Sequence, residues 1–507
     1  MSDDRGSQKR IATSVNRGLA WIGIASSLVG ILDVVAIVLI LRYWVTVPEY
    51  GALTAIVWVF PLLDQATDLG LSAAVIQRDD HDDTKISTVF WINFITAIAM
   101  FAILAIVATI IASITHDILG WMLVAYGTKL LIQNAYFIPL SLMKRELRFK
   151  ELSIIRIVAN LGEFAAKVGF AWAGFGIWCF VLGPLARTLI SAVGAQLRHP
   201  WRPKLVLRFR DAKEYVTFGL KSSGSQILFH FYVNIDQPIV RAFFGDHAAG
   251  LYKIAYETVL HPVRMISNVV VDIAFPTFAR LQHSKDRLLA QLVSFTKLNI
   301  ITVLLYAAVV FVAAEDVLLM FFPRAAGAET AVRVLCAVAV LRSLGYVVPP
   351  LLDGTGHPNR TFNYMLSAAV ALPLSFWLGA VLLGDRLGYV SVAVAWAIGY
   401  PIAFGVLIWL AMYTLGWTAR AYLRSVIGVL ACLFGALFVA LLGHWAMSGL
   451  QPWLRLALTA AIVVLVTGFS LAYTQGLSLR SAKRALAGDS DAVIDDPLPV
   501  DEASAGK

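Results

Sequence analysis

The sequence predicts an all-α polytopic membrane protein of about fourteen transmembrane helices, and three observations carry that reading. Of the 507 residues 59% are apolar and 14% charged, with a mean hydropathy of +0.75, whereas soluble domains carry charge on about a quarter of their residues. Apolar runs of about 20 residues, the length that crosses a hydrocarbon core of about 30 Å, recur along almost the whole chain. Lys and Arg gather in alternate short loops between those runs, the asymmetry by which membrane proteins fix their orientation.

Taken in order, residues 1–18 read as a polar, basic cytoplasmic segment. The apolar stretch beginning at Leu19 is longer than a signal-peptide core and lacks a small-residue cleavage site, so it is expected to stay as the first span. Spans at 19–44, 50–76, 87–114, 118–141, 153–174 and 176–197 make a first six-helix bundle, 19–197. A basic cytoplasmic linker, 198–215, leads to a second six-helix bundle, 216–413, with spans at 216–244, 249–277, 293–314, 328–352, 362–383 and 388–413. Two additional transmembrane helices, near 421–444 and 453–473, occupy 414–473. The polar segment 474–507, acidic towards its end, reads as a disordered cytoplasmic tail.

Loop charges set the orientation. The even loops are basic, from Arg78 and Lys85, through Lys144, Arg145, Arg148 and Lys150, to Arg420 and Arg424. The odd loops offer only Arg42, Arg241, Arg324, Arg386 and Arg455. Basic loops are retained in the cytoplasm, which places both termini there. This pattern absorbs the net charge of +9 without a basic soluble face, so no nucleic-acid partner is implied. Cys179, Cys336 and Cys432 lie in apolar segments, with the spacing of neither a zinc site nor a disulfide framework. No P-loop, zincin or nucleophile-elbow motif is present, and no soluble domain offers room for ATP. No cofactor and no enzymatic activity are expected.

An internal repeat is visible. The first span ends Arg42-Tyr-Trp-Val-Thr-Val-Pro-Glu-Tyr-Gly51 and the seventh ends Arg241-Ala-Phe-Phe-Gly-Asp-His-Ala-Ala-Gly250, with one Arg-to-Gly spacing in both. The same offset superposes Ser26 on Ser225. Six spans per half leave the halves in the same orientation, a parallel pseudo-repeat about the membrane normal.

Charges inside the spans supply the candidate site, because a charge at mid-bilayer costs at least about 2.5–3.5 kcal/mol and therefore faces a bundle interior or a wet cavity. Arg156, Lys167, Arg187, Lys221, Arg264, Arg333 and Arg342 form a candidate cationic lining for an anionic head group, since the arginine fork grips phosphate oxygens bidentately. The competing reading is local. Arg156 and Arg187 lie near span ends, where they can snorkel, and Glu163 with Lys167 at i, i+4 can neutralise each other. Asp33, Asp64, Asp68, Asp236 and Glu257 are candidates either for carrying a coupling ion or for pairing with those cations, and pairing is the favoured role. The last two spans carry no central charge and read as lipid-facing or lipid-binding helices.

Three stretches resemble the Wzx-type polysaccharide transporters of the multidrug/oligosaccharidyl-lipid/polysaccharide exporter superfamily. They are Arg42 to Gly51 continuing through Asp68-Leu-Gly70 to Arg78 and Phe90-Trp91-Ile-Asn93, then Pro139 to Lys150 with its basic turn, and Asn234-Ile-Asp236 followed by Arg241 and Gly250-Leu-Tyr252. The resemblance covers about residues 15–415. It implies two six-helix bundles around a central cavity and an undecaprenyl-diphosphate-linked oligosaccharide as substrate. That substrate would be flipped by alternating access across the bacterial inner membrane for exopolysaccharide or O-antigen-type synthesis. Membrane lipid is a further partner, and a polysaccharide polymerase with its export machinery would act beside the transporter. Two alternatives stay open: a cation-coupled drug exporter of the same superfamily, which would prefer acids and aromatics to the basic set here, and a membrane-embedded glycan ligase or polymerase, which usually carries a long external loop.

Overall fold

A computed structural model of the protein describes residues 28–475 apart from 69, 78–81, 116–117 and 418. The expected N-terminal segment, most of the tail and Ser26 of the repeat lie outside the described residues. Within them the chain is α-helical throughout, with one 3-10 turn at Gly176–Trp178 and no strand. It divides into two compact units, Met1–Gly250 and Leu251–Lys507.

The first unit holds α1 (28–43), α2 (Val47–Ala52), α3 (Thr54–Asp68), α4 (Leu71–Gln77), α5 (Asp83–Thr115), α6 (Ile118–Arg145), α7 (Phe149–Trp172), α8 (Cys179–Arg198), α9 (Phe209–Asn234) and the first turns of α10 (Asp236–Leu281). Sequential helices pack as hairpins, α5 on α6 and α7 on α8. The outer face of α5 is a stripe of exposed isoleucines, among them Ile95, Ile103, Ile106, Ile110 and Ile114, as a lipid solvent demands. Its N-terminal end is tied to the basic segment 198–215: Trp91 Nε1 donates to the Lys204 carbonyl (2.9 Å), the Lys204 amide donates to Ser87 Oγ (3.1 Å), and Trp201 packs on Phe90. The linker is therefore strapped to the bundle.

The turn between α6 and α7, the basic stretch of the family resemblance, is built around Leu147 at φ 55°. Arg148 closes it, donating from Nε and Nη2 to the two Glu151 oxygens (2.9 and 2.7 Å) and from Nη2 to the Arg198 carbonyl (3.1 Å). That fork holds the Glu151 carboxyl below the usual glutamate range.

The second unit contains the rest of α10, α11 (Lys285–Val312), α12 (Ala314–Phe321), α13 (Glu329–Gly345), α14 (Val348–Gly354), α15 (Pro358–Leu387), α16 (Val390–Leu415), α17 (Ala419–Ala446) and α18 (Pro452–Gln475). Helix α10 is broken at Gly245, whose φ of 80° is open to glycine and strained for other residues. α15 pairs with α16, and α17 with α18, the latter pair lying against α11.

Nine segments among the described residues are long and apolar enough to span a bilayer. The count falls short of fourteen for physical reasons. α1 is described only from residue 28, and α9 runs into α10 as one apolar stretch from Ile227. The span expected at 50–76 is split into α3 and α4, while α6 and α7 carry polar side chains that depress their hydropathy, Lys129 and Asn134 on one and Arg156, Glu163 and Lys167 on the other. The helices missing from the apolar count are thus largely those that hold the charges.

The repeat has a structural counterpart. A side chain on Gly51 would strike the Asp246 carbonyl and the Gly250 amide, and one on Gly250 would strike the Val47 carbonyl. Val47 and Asp246 stand in the same register as Gly51 and Gly250, so the two contacts are reciprocal under the repeat. Glycine is required at both positions because each faces a rigid backbone.

Candidate functional site

In the first unit, five helices bring together a buried charged network. Lys129 on α6 donates to Asp64 on α3 (2.7 Å), with Nζ 5.5 Å from the Tyr126 ring centroid. On α7, Lys167 Nζ lies 2.7 Å from Glu163 one turn earlier and 3.7 Å from Asp33 on α1. Arg187 on α8 reaches Glu163 Oε2 at 3.0 Å. Gly183 on α8 makes room for the Lys167 stem, which any side chain there would strike. Three cations thus meet three carboxylates. Uncompensated, such charges would not remain in a hydrocarbon solvent.

The network is unequal in its exposure. Glu163 is 4% exposed, Lys129 8% and Lys167 11%, whereas Arg187 keeps 36% of its side chain exposed. Although Arg187 is charge-paired, Glu163 Oε2 accepts no hydrogen bond. The guanidinium donors are therefore aligned away from it. Arg156 is exposed on α7, two turns before Glu163.

Other sequence candidates lie apart from this network. Asp68 accepts from the Ser72 hydroxyl (2.5 Å), and buried Asp236 accepts the Gln237 amide (2.9 Å) at the start of α10. The Lys221 side chain lies outside the described residues. In the second unit Glu257 is held between Lys253 (2.7 Å) and His261 Nδ1 (3.0 Å), a stack along one face of α10. Arg264 and Arg333 are half-buried. Arg342, expected to line a cavity, is 5% exposed and lies beneath the Trp396 ring, 4.8 Å from its centroid.

Two features escape the sequence reading. Lys253 is not among the sequence candidates, although its i, i+4, i+8 spacing with Glu257 and His261 is legible. The fully buried Asp316 on α12 receives the fork of Arg455 on α18, Nε donating to Oδ2 (2.7 Å) and Nη2 to Oδ1, while His444 on α17 approaches to 3.7 Å and bonds Thr459 (3.0 Å). Those partners are 139 residues apart, and no local pattern announces them.

Multiple helices long and apolar enough to span a bilayer, with buried charge between them, define a multi-pass membrane protein, and the fold has solved counterparts. The lipid II flippase MurJ in its inward closed conformation superposes with a TM-score of 0.71 at 12% identity, over 89% of this chain and 98% of that one. The chain belongs to the polysaccharide biosynthesis protein family, whose model matches residues 40–325, more than half of its length. Among relatives, the teichuronic acid biosynthesis protein TuaB of Bacillus subtilis is 26% identical over 82% of this chain and 86% of its own. The lipopolysaccharide biosynthesis protein WzxC of Escherichia coli is 24% identical over 68% and 71%. The chain is accordingly a multi-pass membrane protein of the polysaccharide biosynthesis family with the fold of the MurJ flippase.

Proposed function

We propose that the protein flips a polyprenyl-diphosphate-linked oligosaccharide from the cytoplasmic to the outer leaflet of a bacterial inner membrane by alternating access, with both termini cytoplasmic. The observation that carries this reading is Arg187, a guanidinium inside the helices that is charge-balanced by Glu163 while its donors stay unspent and a third of its surface stays open. A diphosphate offers the oxygens that such a fork binds in a bidentate way. While the phosphate is bound, Glu163 remains neutralised by Lys167, so substrate can borrow the arginine without stranding a buried carboxylate. Exposed Arg156 on the neighbouring helix supplies a second cation for the other phosphate.

The test is reconstitution in liposomes with a fluorescent undecaprenyl-diphosphate oligosaccharide, scoring its exposure in the outer leaflet over time. Arg187→Gln should lose transport at unchanged protein level, and Arg187→Lys, which keeps the charge without the fork, should recover only part of it. Transport by Arg187→Gln at the wild-type rate would remove the diphosphate from this site.

A further inference from the structure

Arg342 presents a charge problem that the described residues do not solve. It lies on α13, 5% exposed, in a cage of Trp396 and Tyr400 from α16, Tyr346 beyond its own helix, and Tyr256 from α10. Tyr256 accepts a hydrogen bond from the guanidinium, and the Tyr400 hydroxyl is turned to the Arg342 carbonyl (3.4 Å). Gly345 admits that hydroxyl, which a side chain there would strike. Nη1, however, is buried without a hydrogen-bond partner. Among the described residues no carboxylate pairs with Arg342. Glu257, next to Tyr256 in sequence, is already taken by Lys253 and His261, and Asp353 on α14 sits on an exposed position.

Aromatic faces attract a cation but do not neutralise it, and a buried charge persists only when paired. We propose that Arg342 is the seat of a small-anion site, in which a chloride-sized inorganic anion lies against the unpartnered Nη1 inside the aromatic cage. The burial selects the size. A residue this enclosed admits a bare ion, whereas a lipid diphosphate carrying its sugar needs an aperture. The site is independent of the transport reading above, because it balances a fixed charge of the fold whatever substrate moves.

The experiment uses the full chain purified in detergent, melted in sodium gluconate, chloride, bromide and phosphate at equal ionic strength, with chloride-36 binding measured in parallel. The site predicts one saturable chloride per chain, displaced by bromide, and a melting temperature that rises by a few degrees and saturates with chloride. Arg342→Met removes the charge and keeps the stem; it should bind no chloride and melt alike in every salt. If that variant does not fold, the wild-type binding isotherm decides alone. Absence of saturable chloride binding by the wild type overturns the proposal. So does stabilisation by phosphate and not by halides, which would assign Arg342 to the phosphates of a lipid substrate.

Discussion

Removal of one partner from the Asp316–Arg455 pair should cost very different amounts depending on which partner goes. Asp316 is fully buried on α12, and among the described residues the other basic group near it is the His444 imidazole at 3.7 Å. Arg455→Met therefore strands a desolvated carboxylate, at about 3–5 kcal/mol. Arg455 begins one end of α18 and retains 17% of its side-chain exposure, so in Asp316→Asn its long stem can carry the guanidinium towards the interface, and the cost falls to about 1–3 kcal/mol. The double variant Asp316→Leu/Arg455→Met removes both charges and should be more stable than Arg455→Met alone, with a coupling of about 2 kcal/mol. Equilibrium unfolding in mixed micelles, run as a double-mutant cycle, measures all three. Equal single costs that simply add in the double variant would refute the reasoning, since they would mean that the pair is solvated and that α18 is not pinned through Asp316.

Substitution at the reciprocal glycines should be costly because the obstruction is backbone: Gly51→Ala and Gly250→Ala should each lose about 1–3 kcal/mol in melting experiments, while Gly435→Ala on α17, with open space around it, should be neutral or slightly stabilising. At the turn between α6 and α7, Arg148 lowers the folded-state pKa of Glu151 below its unfolded value of about 4.3, so the pair's contribution is present above that value and disappears as pH falls through the lowered folded pKa. The melting gap between wild type and Glu151→Gln should stay constant from pH 7 to about pH 5 and close only below about pH 4.

How much of this was legible in the sequence follows from the range of each interaction. The helical, membrane-embedded class is written in composition and apolar run length, and Arg42–Gly51 with Arg241–Gly250 already mark the positions that meet across the repeat. The Lys253–Glu257–His261 stack is equally local, since helical spacing alone brings those residues together. What spacing does not disclose is the partner on another helix. Lys129 finds Asp64 across 65 residues and Arg455 finds Asp316 across 139, pairings that exist only once the helices have packed. Arg342 shows the opposite limit. In sequence it is one more cation in an apolar span, and only its burial under Trp396 separates it from the cations that retain exposure.

The repeat conserves backbone geometry while leaving charge unequal, and that inequality has a mechanical consequence. In the register that sets Gly51 on Gly250, the positions matching Lys253, Glu257 and His261 are Thr54, Trp58 and Leu62, none of them charged. Within the repeat, the Lys253–Glu257–His261 stack lies along a single helix, α10, where the three side chains travel together whenever that helix moves, and the interhelical Asp316–Arg455 pair lies outside that register. The first unit distributes its charges over α1, α3, α6, α7 and α8, so a relative shift among these helices must break Lys129–Asp64, Lys167–Asp33 or Arg187–Glu163. A buried pair broken without replacement is expensive, which makes such a shift improbable unless another anion takes the released cation. A network spread over helices can therefore couple helix movement to the arrival of an anion, whereas a stack confined to one helix cannot.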